Sequence, residues 1–312
     1  MIRVSKLYKR FGLFEALRYL DFEIAQGETV GLLGENGAGK TTTMRILACY
    51  FPPTSGLVEV DGHEVVFESA AVRRAIGYMP ESVPLYGNMR VEEFLRFRAR
   101  LRGLGGRSMR EAVDRVLGVV DLTARRRQLI QNLSKGLRQR VGIADALVHD
   151  PKVLILDEPT SGLDPSQRRE VRDVIRSLEG RHTVVISSHI LPEIEMTCQR
   201  AVVIHEGRVA ASESIRDLKR RGGVDRFQVT ARATAEAMMA ALAALKGIEV
   251  RPGESIGEGF AVLSLQADTA ERRAEVAAAL VRGGIAIHEI RGVDASLEEA
   301  FMRLIGKPEQ TS

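Results

Sequence analysis

The chain has 312 residues, 45% hydrophobic and 28% charged, which excludes a disordered polymer and leaves room for one large domain and a smaller one. Its 45 basic and 41 acidic side chains leave a formal charge of only +4, so bulk electrostatics give no ground for nucleic acid or an anionic lipid surface as a partner. Cys49 and Cys198 are the only cysteines and stand far apart without Cys/His ligand spacing, which argues against a disulfide framework or a zinc site and fits a reduced cytoplasm. The run into Ile2-Arg3-Val4 has no charged-then-apolar leader, and the apolar tract from Met238 to Leu245 is too short to span a bilayer. The chain is therefore expected to be soluble on its own.

In chain order, the first strong signal is the apolar run Thr29-Val30-Gly31-Leu32-Leu33 followed by Gly34-Glu35-Asn36-Gly37-Ala38-Gly39-Lys40-Thr41. Strand, glycine-rich loop and helix start in that order describe a phosphate cradle. Glycines 34, 37 and 39 let the backbone turn tightly and aim N–H groups inward, and the helix opening at Lys40 adds its positive end. Lys40 reaches the outer phosphates as a point charge, the Thr41 hydroxyl takes one position around Mg²⁺, and Thr42 continues the first helical turn. The expected ligand is a magnesium nucleoside triphosphate.

Val58-Glu59-Val60, Asp61-Gly62-His63 and Glu64-Val65-Val66 read as a hairpin, an antiparallel element beside the phosphate loop. Residues of roughly 88 to 135 read as a helical insert. Val91, Phe94, Leu95 and Leu101 keep helical spacing, and Ser108-x-x-Glu111 reads as a capping box for a second helix. Arg96, Arg98, Arg100 and Arg102 alternate within the first helix, which spreads them around it as a solvated face. Val153-Leu154-Ile155-Leu156 and Thr183-Val184-Val185-Ile186 are unbroken apolar runs of the kind buried on both faces of a parallel sheet, giving an α/β core.

The first of these runs ends in Asp157-Glu158, two adjacent carboxylates that are costly to bury without a cation or a specific partner. Asp157 would hold Mg²⁺ and Glu158 would orient or deprotonate an attacking water, while the simpler alternative is a turn cap before Pro159. Lys219-Arg220-Arg221-Gly222-Gly223 reads as a linker. Beyond it, strand signals at 227–230, 260–265 and 285–290 alternate with helical stretches at Ala235 to Lys246 and Ala270 to Arg282. Ser296-x-x-Glu299 caps a last helix, and the order suggests a small split βαβ, or ferredoxin-like, α+β domain.

Leu133-Ser134-Lys135-Gly136-Leu137, shortly before Asp157-Glu158, resembles the signature motif of the ATP-binding cassette (ABC) ATPases, a likeness that covers residues 1–220. The resemblance implies a P-loop cassette with an antiparallel β subdomain and the helical insert, with the α+β domain at 224–306 and a tail at 307–312. By the same likeness Phe11 stacks on adenine, Glu81 sits at the Q-loop as a metal ligand, and Ser161-Gly162-Leu163-Asp164 is the D-loop. His189 is the switch histidine that contacts the terminal phosphate. Ser134, Gly136 and Asp164 then serve nucleotide on a second subunit, so one chain holds two half-sites. Catalysis is expected from Glu158, His189 and Lys40.

Two motifs depart from the common pattern, the signature with Lys135 and Leu137 and the Q-loop with Glu81 in place of glutamine. Family likeness further implies an ATPase, with ATP and Mg²⁺ as cofactors, working as a homodimer or heterodimer beneath a separate membrane permease. Such a protein is cytoplasmic and peripheral on the inner face of the membrane. The C-terminal Ser296-Leu297-Glu298-Glu299-Ala300-Phe301 resembles the bacterial drug-resistance and gliding-motility subfamily, which favours export. A ribosome- or DNA-remodelling ATPase of the same family is the alternative; no Asn-Lys-x-Asp guanine motif is present.

Overall fold

The computed structural model describes residues 1–220, 225–253, 259–267, 272–293 and 296–306, and the chain divides into two compact units, Met1–Ile215 and Arg216–Ser312. The first opens with β1 (Ile2–Phe11) and β2 (Phe14–Ile24), an antiparallel pair whose alternation buries Ile2, Val4, Leu7, Leu17, Leu20, Phe22 and Ile24. Each such side chain contributes roughly 1.5–3 kcal/mol when removed from water. β3 (Thr29–Leu33) follows, buried throughout, and leads through the glycine loop into α1 (Lys40–Leu47). β4 (Ser55–Val60) and β5 (His63–Glu64) complete an antiparallel sheet of order β2-β1-β4-β5. Their turn is the two-residue Asp61-Gly62, with φ of 54° and 78°, the positive pair that matches the strand twist.

α2 (Ser69–Ala75) leads to β6 (Ile76–Met79), an edge strand of the core sheet. The insert then folds as α3 (Val91–Leu101) and α4 (Gly106–Val119), before α5 (Lys135–Leu147) returns to β7 (Val153–Asp157). α6 (Pro165–Arg176), β8 (Thr183–Ser188), α7 (Leu191–Thr197), β9 (Arg200–His205) and β10 (Arg208–Ser214) finish the unit. The core sheet has the order β10-β9-β3-β8-β7-β6, parallel except for edge strand β10. β3, β7 and β8 lie inside it, which explains their unbroken apolar sequences, and β3 and β7 both deliver their C-terminal ends to one edge of the sheet.

Two local expectations are corrected in the insert. Ser108 is not an N-cap: α4 starts at Gly106 with Gly105 in the cap position, and Ser108 Oγ donates back to Gly105 O at 2.8 Å. Glu111 instead pairs with Arg107 one turn earlier, at 2.6 Å. Gly106, at a φ of 53°, supplies the left-handed backbone with which the helix begins. Nor do the alternating arginines form one solvated face. Arg96 pairs with Glu92, but Arg98 turns inward to Asp145 of α5 at 2.6 Å, and Arg102 donates to Arg73 O at 2.7 Å. The buried Asp145 carboxylate captures a guanidinium that spacing alone would leave in water.

α8 (Ile215–Arg220) takes up Lys219 and Arg220 of the expected linker; Arg221, Gly222 and Gly223 lie outside the described residues. The second unit runs β11 (Asp225–Arg232), α9 (Ala235–Leu242), β12 (Ile248–Pro252), β13 (Ala261–Ala267), α10 (Arg272–Arg282), β14 (Ala286–Gly292) and α11 (Leu297–Leu304). All neighbours in its sheet, ordered β12-β13-β11-β14, are antiparallel. Phe227, Val229, Leu263 and Leu265 pack against Met238, Leu242, Val276 and Leu280 of the helices. β12 has no counterpart in the sequence reading; its short Ile-Glu-Val-Arg-Pro run ends in proline, which only an edge strand tolerates. Ser296 and Glu299 form the expected reciprocal cap on α11. The tail from 307 onward and residues 254–258 of the glycine-rich loop lie outside the described residues.

Candidate active site

The loop between β3 and α1 is packed too closely for side chains at two of its glycines. A methyl on Gly34 would lie 2.3 Å from Ile204 O, and one on Gly39, at φ 110°, would lie 2.5 Å from Leu17 Cδ2. No side chain caps α1, so its first-turn N–H groups remain available to an anion. Lys40 is buried and donates to Gly34 O at 2.7 Å and Glu35 O at 3.1 Å, its ammonium drawn back over the loop. Burial pushes the Lys40 pKa down, while the charges of Glu158, Asp157 and Glu81 push it back up.

A chain of hydroxyls ties the acidic pair to this loop. Thr41 Oγ1 donates to Asp157 Oδ1 at 3.3 Å, Ser187 Oγ donates to the same oxygen at 2.6 Å, and the Glu158 N–H donates to Ser187 Oγ at 2.9 Å. Ser187 is a residue the sequence reading missed. Its signal was the pair Ser187-Ser188 ending an apolar strand, since parallel register sets Ser187 directly opposite Asp157. Asp157 Oδ2 is buried and has no partner, an acceptor left for a cation. That orphan oxygen and the Thr41 hydroxyl suit Mg²⁺, an ion that completes its octahedron with water and substrate phosphates. Among the described residues no group of three or more His, Cys, Asp or Glu is placed to hold a metal alone.

Glu158 is buried with φ of 50°, a left-handed conformation rare outside glycine, which aims its carboxylate at His189. Oε2 lies 2.9 Å from His189 Nδ1. Burial raises the pKa of both acids. Bonds from Ser187 and Thr41 to Asp157, and from His189 to Glu158, offset part of the rise. An ionised, half-satisfied carboxylate in this position penalises the folded chain, so Asp157→Asn is expected to raise the melting temperature of the nucleotide-free protein by roughly 2–4 °C, for about 1 kcal/mol. The sign follows from linkage. The raised folded pKa makes the penalty fully present at neutral pH and relieves it as pH falls through that value. Thermal unfolding with and without Mg²⁺-ATP checks this, because the same substitution should abolish the metal-dependent part of any ATP stabilisation.

Phe14, Ala16, Asn36, Gly37, Gly39, Lys40, Thr41, Thr42, Glu81, Glu158 and His189 line one cleft of about 320 Å³, within the range of small-ligand sites. Gly34, Glu35 and Ala38 build the loop behind it, and Asp157 lies beneath Thr41. Phe11 does not line the cleft. It packs edge-on against Phe51 at 5.4 Å with Lys9 Nζ over both rings, and Phe14, its partner across the β1–β2 turn, faces the cleft instead.

Ser134, Gly136 and Asp164 also lie off the cleft. Ser134 caps α5 by accepting from Leu137 N at 3.3 Å, and Asp164 caps α6 by accepting from Gln167 N at 2.9 Å. A methyl on Gly136 would come within 3.0 Å of the Gln167 side chain, so these two helix starts are neighbours in a second cluster.

The described residues thus hold a phosphate loop with its acidic pair, and a separate pair of capped helix starts. The family model described as ABC transporter matches residues 17–161. A daunorubicin resistance ATP-binding protein from Streptomyces coeruleorubidus is 36% identical over 98% of this chain and 96% of its own length. The chain belongs to the ABC transporter family. A bacitracin transport ATP-binding protein from Bacillus licheniformis is 35% identical over 98% of this chain and 97% of its own. Among solved structures, an ATP-binding subunit of an ABC transporter superposes with a TM-score of 0.64 at 30% identity, covering 72% of this chain and 93% of that one. A dimeric bacterial ABC transporter cassette gives 0.62 at 26%, covering 69% and 98%. Membership makes this ABC protein an ATP-binding subunit and an ATPase coupled to transport.

Proposed function

We propose that this ABC ATPase powers an exporter whose substrate pathway lies in a separate membrane protein, and that two cassettes close head to tail on ATP and Mg²⁺. The observation that carries this reading is the separation of the two clusters: Lys40, Thr41, Glu158 and His189 line the cleft, whereas Ser134, Gly136 and Asp164 point elsewhere. A second subunit would bring its capped helix starts to the open side of the cleft, where their N–H groups meet the terminal phosphate. Glu158 then activates water and His189 orients Glu158 and donates to the phosphate. Mg²⁺, held by Thr41 and Asp157 with Glu81 nearby, would neutralise charge on the phosphates.

Relatives named for daunorubicin resistance and bacitracin transport support export. No helix among the described residues is long and apolar enough to cross a membrane, which motivates the separate permease. The helical insert and the segment around Glu81 offer the coupling surface: Tyr50, Arg73, Tyr78, Pro84 and Arg102 line a groove there. The working location is then the inner face of the membrane, with no nucleic acid in the cycle. Co-expression with a multispanning membrane protein, should one be encoded beside this chain, tests the reading. The chain should sediment with membranes and its ATPase should respond to the permease, whereas co-purification with nucleic acid would favour a remodelling role.

Base recognition has its own test. Phe14→Ala should weaken ATP binding by roughly 1–3 kcal/mol, the worth of one aromatic stack, as read by fluorescent-nucleotide titration. Equal affinity in that variant, with a loss in Phe11→Ala, would return the adenine to Phe11.

A further inference from the structure

Glu81 lines two cavities. On one side it borders the nucleotide cleft; on the other it borders a groove shared with Lys135, Gln139 and Ser161. Gln139, which borders this groove, is only 5% exposed, and its Oε1 is buried without a hydrogen-bond partner. An oxygen left unpaired in a buried position is costly, so a donor brought within its reach would be held there. Lys135 precedes Gln139 by four residues on α5 and therefore shares its helix face. Its ammonium rests against Gly162, where a methyl group would lie only 2.2 Å from Nζ. Among the described residues, neither the Glu81 carboxylate nor the Lys135 ammonium belongs to an ion pair. In the cleft one ammonium, Lys40, is shared by the carboxylates of Glu158, Asp157 and Glu81, so the acid at 81 leaves an excess of negative charge beside the seat of a triphosphate.

We propose that Lys135 is a positioning residue that neutralises Glu81: its flexible stem carries the ammonium from Gly162 into the groove, where Gln139 Oε1 and the Glu81 carboxylate both accept from it. The inference rests on the proposed nucleotide role of the cleft. It explains how one chain carries a carboxylate beside the phosphates and a lysine at the start of α5, as two halves of one device.

The test is a double-mutant cycle on the full chain, read as affinity for a fluorescent ATP analogue in EDTA, at concentrations where the protein sediments as a monomer. Lys135→Gln should lower metal-free affinity roughly fivefold, and that loss should shrink as salt rises. Glu81→Gln should raise metal-free affinity, and adding Lys135→Gln to it should change nothing further. Lys135→Arg should keep near-wild-type affinity. An equal loss from Lys135→Gln in both backgrounds would overturn the proposal, as would no loss in either. Failure of the cleft reading itself shows separately, as unchanged ATP affinity in Lys40→Ala.

Discussion

Glu158→Gln is expected to lower ATP turnover by roughly 10²–10⁴-fold while leaving ATP affinity within a few-fold of the parent chain. The amide keeps the size and the buried position of Glu158 but cannot take a proton from water. Glu158 is held in a left-handed backbone conformation with its carboxylate 2.9 Å from His189 Nδ1, so the group is oriented before nucleotide arrives. Burial raises its pKa above the ordinary carboxylate range, which strengthens it as a base. Turnover in the parent chain should therefore fall as pH drops through that raised value, and the variant should lose this limb of the profile. Steady-state phosphate release and equilibrium nucleotide titration together check the split. Comparable losses in rate and in affinity would mean that Glu158 binds nucleotide instead of activating water.

Lys40→Ala should act on binding instead. The ammonium now bonded to Gly34 O and Glu35 O is the cation nearest the loop's own backbone, and a triphosphate would draw it outward into charge-assisted bonds worth roughly 1.5–3 kcal/mol. Its removal should weaken ATP binding about 10- to 100-fold. The ATP-induced rise in melting temperature at a fixed ATP concentration should shrink with it, since that rise depends on ligand concentration relative to Kd. The nucleotide-free melting temperature should move little, because the lost bonds to two carbonyls are offset by relief of a desolvated charge. An unchanged ATP response in Lys40→Ala would refute the phosphate-cradle assignment.

Much of this was legible in the sequence wherever local chemistry and fold demand coincide. The glycine loop reads as a cradle because Gly34 and Gly39 sit where no side chain fits, and the unbroken apolar runs read as buried strands because β7 and β8 are interior to the sheet. The Ser296–Glu299 cap is a contact between near neighbours and was equally visible. What was hidden depends on partners distant in the chain. Ser187 acquires its role only because β8 pairs with β7 in a register that places it opposite Asp157. Arg98 leaves the solvated face for Asp145, a residue 47 positions away. Phe14 lines the cleft and Phe11 packs on Phe51, although the two are paired across a two-residue turn, and spacing cannot say which of them borders the cleft.

The proposed composite site, which no single chain would complete, is tested most directly by ATP turnover per chain measured across dilution, with sedimentation velocity reporting the assembly state at each concentration. Specific activity should fall in step with the dimer fraction and approach zero for the monomer. Constant turnover per chain, from protein that sediments as a monomer with ATP present, would contradict it.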